Sequence, residues 1–265
     1  QLVTYVDDDY TAATPGWGVT HFATIQDGID AVAEGGTVNV AAGTYAEDVV
    51  VTDKFFNLIG AVDTNGDPVS ILEGSLSIDN PSYYDSGTPE FSTIKNIYFE
   101  RTDSHLLILK NFNGGLIENC VFDGNDGFME HQFNGVNLVS GPNGNSNITV
   151  KSSTFKDGLY VGINGYTGGL TVIDSIFTNV KSGINLQGGA GNTLTIDNSD
   201  FSVIAQGETN DTYGVRFASE GANTGGNLTI TNSSFVVDKN GFVAEPETYH
   251  SAIIIRAGAT GTLKV

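Results

Sequence analysis

Few residue sets in this chain have the types and spacing that chemistry needs. Asp63-Thr64-Asn65-Gly66-Asp67 places oxygen side chains at the first, third and fifth positions of a loop. That spacing lets three ligands converge on one hard cation, Ca2+ first among them. A complete calcium loop asks for Gly at the next position and a bidentate Glu at its end. Pro68 and Gly74 stand there instead, with Glu73 as a neighbouring donor. The same residues also read as an Asx-Gly turn between strands. Asp123-Gly124-Asn125-Asp126 is a second, weaker set of the same kind.

Basic groups are scarce, with 11 Lys and Arg in all. Arg216 and Arg256 fall on successive late strand-like segments and form the one candidate basic pair for catalysis. Surface solubility or a contact along a ladder explains them as well. His21, His105, His131 and His250 are scattered and lack a metal-ligand spacing such as His-x-x-x-His. Glu130-His131 offers a general acid/base in a long loop, or simply a polar loop tip. Asn137, Asn164 and Asn185 recur at one place in successive repeats, with Tyr160, Tyr166 and Tyr213 close by in sequence. Amides beside aromatic rings are what a sugar-binding strip requires. A solvated asparagine ladder would look the same.

The elements that position these residues follow from a repeat. Phe99, Phe122, Phe155, Phe177, Phe201 and Phe235 recur at intervals of 23, 33, 22, 24 and 34 residues. A constant unit with occasional longer loops is what a solenoid permits. Seven and five residues before the Phe stand Ile148/Val150, Leu170/Val172, Leu194/Ile196 and Leu228/Ile230, an alternation that predicts a strand with one buried face. Three before it stand Asn96, Asn119, Ser152, Asp174, Asn198 and Asn232, where the chain is expected to bend. Two before it stand Ile97, Cys120, Ser153, Ser175, Ser199 and Ser233, a small inward column. After it, Gly135, Gly162, Gly183 and Gly214 open a further short strand, and Ala252-Ile253-Ile254-Ile255 fills that slot last. Each unit is too small to bury its own apolar face, so stacked units must share one core. Upstream, Thr24 to Glu34 predicts one short helix, with Thr24 as its cap and Gly35 as its end, placed to cover the open end of the stack.

Composition bounds the rest. The 265 residues carry a net charge of −20 and a pI of about 4.2. Such a surface repels phosphate backbones and anionic lipid, which excludes nucleic acid as a partner and argues against membrane insertion. It attracts cations and keeps a secreted protein soluble in salt. Fifteen Phe and ten Tyr argue against disorder. A single cysteine, Cys120, rules out an intrachain disulfide. The chain opens on Gln1, which reads as a mature or trimmed product. It closes on a strand-like Gly261-Thr262-Leu263-Lys264-Val265, beyond which further coils are expected.

Phe22-Ala23-Thr24-Ile25-Gln26-Asp27-Gly28-Ile29-Asp30-Ala31, then Gly35-Gly36-Thr37-Val38-Asn39-Val40, then Ala42-Gly43-Thr44-Tyr45 resemble the amino-terminal cap and first coil of pectin-lyase-like β-helix proteins. The later Leu-x-Ile-x-Asn-Ser-x-Phe units resemble their parallel β-helix repeats. The resemblance implies an all-β, right-handed parallel β-helix with a short N-terminal capping helix. The expected organisation is one domain over 1–265, with the cap over about 1–36 and coils over about 37–265. That superfamily holds polysaccharide lyases, glycoside hydrolases, esterases, phage tailspikes, adhesins and surface-layer proteins. The Asn-Thr-Asp, Gly-His-Gly and Arg-Ile-Lys sets of polygalacturonase-like hydrolases do not stand on the repeat strands here, and Asp7-Asp8-Asp9 lies ahead of the cap. The expectation is a secreted or cell-surface module, structural, adhesive or glycan-binding, without catalysis of its own. A lyase or hydrolase with an atypical groove, or a subunit that self-associates through its coil ends, are the alternatives.

Overall fold

Alternating apolar residues at two-residue spacing build, among the described residues, 26 short strands that lie in three parallel sheets. The computed structural model describes residues 1–82, 92–101, 103–125, 133–139, 145–187, 192–205, 211–218, 226–239 and 250–255. Sheet A runs in the order β2 (His21–Phe22), β1 (Val3–Val6), β3 (Thr37–Val40), β6 (Asn57–Gly60), β9 (Ser92–Lys95), β12 (Asn113–Glu118), β15 (Ser146–Lys151), β18 (Gly169–Ile173), β21 (Asn192–Asp197) and β24 (Gly226–Thr231). Sheet B stacks β4 (Gly43–Tyr45), β7 (Ser70–Leu72), β10 (Ile97–Glu100), β13 (Val121–Asp123), β16 (Thr154–Lys156), β19 (Ile176–Val180), β22 (Asp200–Ile204) and β25 (Ser234–Asp238). Sheet C stacks β5 (Val49–Thr52), β8 (Leu76–Asp79), β11 (Leu107–Lys110), β14 (Asn134–Val139), β17 (Val161–Tyr166), β20 (Ser182–Gln187), β23 (Thr212–Ala218) and β26 (His250–Ile255). From β3 onward each coil gives one strand to A, one to B and one to C. This is an all-β, right-handed parallel β-helix. No helix among the described residues is long and apolar enough to cross a membrane.

The phenylalanine column holds the stack together. Neighbouring rings from Phe99 to Phe235 lie 4.4 to 4.9 Å apart and within 9° of parallel. All but Phe235 are fully buried, and Phe235 packs on the same core from the last described coil. Each buried ring stabilises the fold by roughly 1.5–3 kcal/mol, an upper figure. The glycine column follows from the rings. A Cβ on Gly162 would sit 2.6 Å from the Phe177 ring, and one on Gly183 would sit 2.6 Å from Phe201. Glycine is therefore a packing requirement at these positions.

The corner between sheets A and B is made by the asparagine column. Asn96, Asn119, Ser152, Asp174, Asn198 and Asn232 all have φ between 48° and 59°, the left-handed region. Asn and Asp tolerate it best among residues with a side chain. Their amides also tie coils together, from Asn119 to Asn96 Oδ1 at 2.9 Å and from Asn198 to Asp174 Oδ1 at 2.7 Å. One residue on, serine hydroxyls accept the backbone N–H of the previous coil, from Ser153 to Ser175 and from Ser175 to Ser199. Cys120 stands in that column between Ile97 and Ser153 and is fully buried.

The N-terminal region departs from expectation in two ways. First, α1 spans Ile25–Ala31 and stops short of Glu34. Thr24 caps it as expected, accepting the Asp27 N–H at 3.2 Å. Val32 then turns to extended backbone and is buried, because the core claims its side chain before Gly35 is reached. Second, β1 and β2 belong to sheet A, so residues 1–36 are partly sheet. Val3 and Tyr5 face out while Thr4 and Val6 face in. Thr4 breaks the apolar pattern, and its buried hydroxyl is satisfied by Gly28 O at 2.9 Å. The α1 helix lies against β1, β2, β3 and β5. Glu47 accepts the N–H groups of Ile25 and Gln26 at the helix start, where a carboxylate is favoured. The Gln26 amide bonds both Val50 N and Val50 O on β5, the terminal strand of sheet C.

Candidate functional site on the third sheet

Sheet C carries the asparagine ladder in strict register. Asn137 pairs with Asn164, Asn164 with Asn185, and Asn185 with Arg216. Ile108 precedes the column and Ile254 ends it. The amides are chained, with Asn185 donating to Asn164 Oδ1 at 2.7 Å and Asn164 to Asn137 Oδ1 at 3.5 Å. Asn134 donates to Asn137 Oδ1 at 3.3 Å, so it shares this face. The column is less open than a solvated ladder would be, since Asn185 is buried.

Several buried atoms along the chain of amides lack partners. Asn134 Oδ1, Asn185 Oδ1 and Arg216 Nε are buried and meet no hydrogen-bond partner. Thr212 Oγ1, at the start of β23, is also unpartnered. These are four of the five such atoms among the described residues, and the fifth is Asn111 Oδ1. An unpaired buried polar group costs about 1–3 kcal/mol, so clustering on one face calls for an explanation.

The three tyrosines divide. Tyr166, on β17 two residues after Asn164, is exposed beside the ladder. Tyr213 is buried, which corrects its place in an open aromatic strip. Burial raises its hydroxyl pKa, and Arg216 and Ser182, which lie against it, pull the value back. Tyr160 is half-buried and its ring is covered by Lys181 Nζ, 3.7 Å from the centroid.

Lys181 is the residue that sequence reasoning missed. It stands one position before β20 and is only 3% exposed. Its backbone N–H bonds Leu159 O and that of Ser182 bonds Tyr160 O, so Tyr160 and Lys181 sit on adjacent coils. Burial pushes its amine down to about 8, against the charge of Asp211, which acts in the opposite sense. The signal in sequence was slight, a Lys just before the Ser-Gly-Ile-Asn opening of a repeat strand. Nothing in the spacing shows that the preceding turn buries it.

The remaining candidates lie apart. Asp63, Asn65 and Asp67 form an exposed turn well before the ladder. Asp63 Oδ1 accepts the N–H of Asn65 at 2.8 Å and of Asp67 at 3.0 Å, and Oδ2 accepts the Asn65 amide at 3.2 Å. These bonds hold the Asp63 carboxyl below its usual range. They also leave it few free acceptor positions for a cation. Asp123 is committed elsewhere, to Lys156 Nζ at 2.6 Å and to the Tyr98 hydroxyl. Asp126, Glu130, His131 and Arg256 lie outside the described residues. A cavity of about 430 Å3 opens on the B–C turns of the early coils, lined by Glu47, Asp48, Glu73, Glu100, Arg101 and Asp103 among others. Arg101 pairs there with Asp48 and Asp103.

Residues 70–201 match a family model described as a right handed beta helix region. Among solved structures, the PL6 family alginate lyase AlyGC is similar, with a TM-score of 0.53 and 14% identity. The likeness covers 90% of this chain and 37% of that one, so the chain spans little more than a third of that enzyme. At this identity the likeness concerns the fold alone. No curated protein matches the chain in sequence. Within the matched span the coils pair in three parallel sheets, and the described coils on either side continue that pairing. The chain is a right-handed parallel β-helix protein.

Proposed function

We propose that the protein binds a polysaccharide along the outward face of sheet C, as a secreted or cell-surface module with a structural or adhesive role. The observation that carries the reading is the set of buried, unpartnered atoms on that face, Asn134 Oδ1, Asn185 Oδ1 and Arg216 Nε. A chain of sugar hydroxyls supplies both donors and acceptors at strand spacing, about 4.8 Å from coil to coil. Tyr166 adds an exposed ring beside the amides. The likeness to a polysaccharide-cleaving enzyme of the same fold is consistent with this reading. The test is calorimetric titration with a panel of soluble glycans, with Asn185→Ala and Arg216→Ala as controls. Binding weakened by both substitutions is expected, and a panel without any binder removes the reading.

Cleavage of the bound chain is a second reading, and Lys181 is the observation that favours it. An amine held near 8 takes up a proton close to neutral pH, as a general base must. Appearance of reducing-end or unsaturated products, lost in Lys181→Met, would promote it over simple binding. Ca2+ at Asp63, Asn65 and Asp67 is also proposed, as a weak site because the turn already uses most of the Asp63 acceptors. Calorimetric heat only at millimolar Ca2+ is expected, and no heat at that concentration ends the proposal.

A further inference from the structure

The N-terminal end of sheet A presents aromatic rings that neither the core nor sheet C uses. Val3 and Tyr5 of β1 face outward, and Tyr5 stands in register with His21 of β2. His21 in turn forms a parallel bridge with Trp17. Residues paired in this way point to one side of a sheet. Trp17, His21 and Tyr5 therefore make one outward rank, at steps of about 4.8 Å. The Tyr5 and His21 rings lie 5.1 Å apart and 22° from parallel, and Tyr10 meets the His21 ring edge-on at 5.0 Å. Trp17 is the single tryptophan of the chain, and it is 39% exposed. Tryptophan is highly buried on average, so its position at the surface calls for a reason. Loose packing of the segment is not the reason. Gly16 O accepts the N–H groups of Val19, Thr20 and His21 at 2.9 to 3.1 Å, and the Trp17 N–H donates to Thr14 O at 3.0 Å. A hydrogen bond of 2.9 Å between Thr20 Oγ1 and His21 Nδ1 fixes the imidazole. Gly16 has a φ of 85°, and a Cβ there would sit 2.6 Å from Thr20 Oγ1. The rings are thus held out on a rigid turn.

Charge at the rim decides the partner. Asp7, Asp8 and Asp9 follow β1 directly, with carboxylate oxygens within 4.8 Å of one another. The Tyr10 N–H donates to Asp7 O at 3.0 Å, so these acids stand beside the ring that touches His21. Acids so placed repel an anionic sugar and an anionic lipid surface. They also disfavour a second copy of this chain, since an isologous contact would bring two such sets together. Sugar hydroxyls suit them, because an ionised carboxylate is a pure acceptor. Flat rings with polar edges suit the C–H face of a pyranose. We infer that Trp17, His21 and Tyr5 form a platform for a neutral glycan, whose hydroxyls the neighbouring carboxylates accept. The platform is separate from the face of sheet C and does not rest on the reading given to that face. Its rings are already fixed, so binding forfeits little side-chain freedom.

Because Trp17 is the only tryptophan, its emission reports on this site. The experiment titrates the whole chain with cello-, xylo-, manno- and laminari-oligosaccharides and with polygalacturonate, following tryptophan emission and heat in parallel. A saturable change in emission with at least one neutral series is expected, and none with polygalacturonate. Tyr5→Ala should weaken that binding by about threefold to tenfold, with circular dichroism unchanged. Heat of binding without a change in emission would put the glycan elsewhere and overturn the platform. Silence with every neutral series would overturn it too, as would a Tyr5→Ala variant that binds like the wild type. An emission shift that follows protein concentration in the absence of glycan would show a second copy covering the rings instead. A response to polygalacturonate as strong as to the neutral series would overturn the neutral assignment.

Discussion

At the residue scale, the same column position serves packing or chemistry depending on what covers it. Phe155 has two stacked neighbours and no exposure. Phe155→Ala should lower stability by about 3–5 kcal/mol in denaturant unfolding. Cys120 sits in the serine column, and burial pushes its thiol up to about 12. Cys120→Ser should cost under about 1.5 kcal/mol, since serine already fills this place in four later coils. Lys181 gives a pH dependence with a definite sign. Its folded pKa is lowered to about 8 from 10.5, so above 8 the unfolded chain binds more protons than the folded one. Stability contributed at this site therefore rises with pH between about 8 and 10. Denaturant midpoints at successive pH values should show the wild type gaining on Lys181→Met across that window. Parallel curves would mean that the amine is not desolvated.

At the element scale, the corners and the strand openings set the register. Asn198 holds φ at 48° in the corner between β21 and β22. Asn198→Gly should be nearly neutral, because glycine adopts this backbone freely. Asn198→Ala should cost about 1–2 kcal/mol. Equal effects of the two would show that the amide bond to Asp174, rather than the backbone, matters at that corner. Gly183 makes the opposite demand, since a Cβ there meets both the Phe201 ring and Gly214 O at 2.4 Å. A Gly183→Ala change should destabilise by about 1–3 kcal/mol and disturb Asn185, two residues further along β20. The packing of the core and the placement of the candidate site are thus coupled through one short strand.

At the scale of the whole molecule, charge and stacking oppose each other. A net charge of −20 repels itself across a stack whose ladders bring like residues into columns. Glu100 shows the effect locally, raised first by burial and then by Asp123 and Glu73. Salt screens such repulsion over a Debye length of about 8–10 Å. The melting temperature should therefore rise between 10 mM and 150 mM NaCl, roughly the range over which surface charges lose sight of each other. An unchanged or falling value would show that the cross-coil ion pairs, such as Lys95–Glu118 and Lys110–Asp79, outweigh the excess of acid.

The periodic residues by themselves determine the fold. Phe, Asn, Ser and Gly columns recur in phase because a parallel stack places like above like, so one repeat read correctly fixes the rest. The register of Asn137, Asn164, Asn185 and Arg216 was legible for the same reason. Strands β1 and β2 were not, because Thr4 hides an inward position behind a polar side chain that finds its partner only in α1. The state of the site was also closed to the sequence. Burial of Tyr213, the cover of Lys181 over Tyr160 and the unpartnered atoms around Arg216 depend on how the turns between sheets B and C fold back over the strands. Those turns vary in length from coil to coil and carry no period. Only the tertiary structure decides which of their side chains lose water, and with it which residues acquire a chemistry of their own.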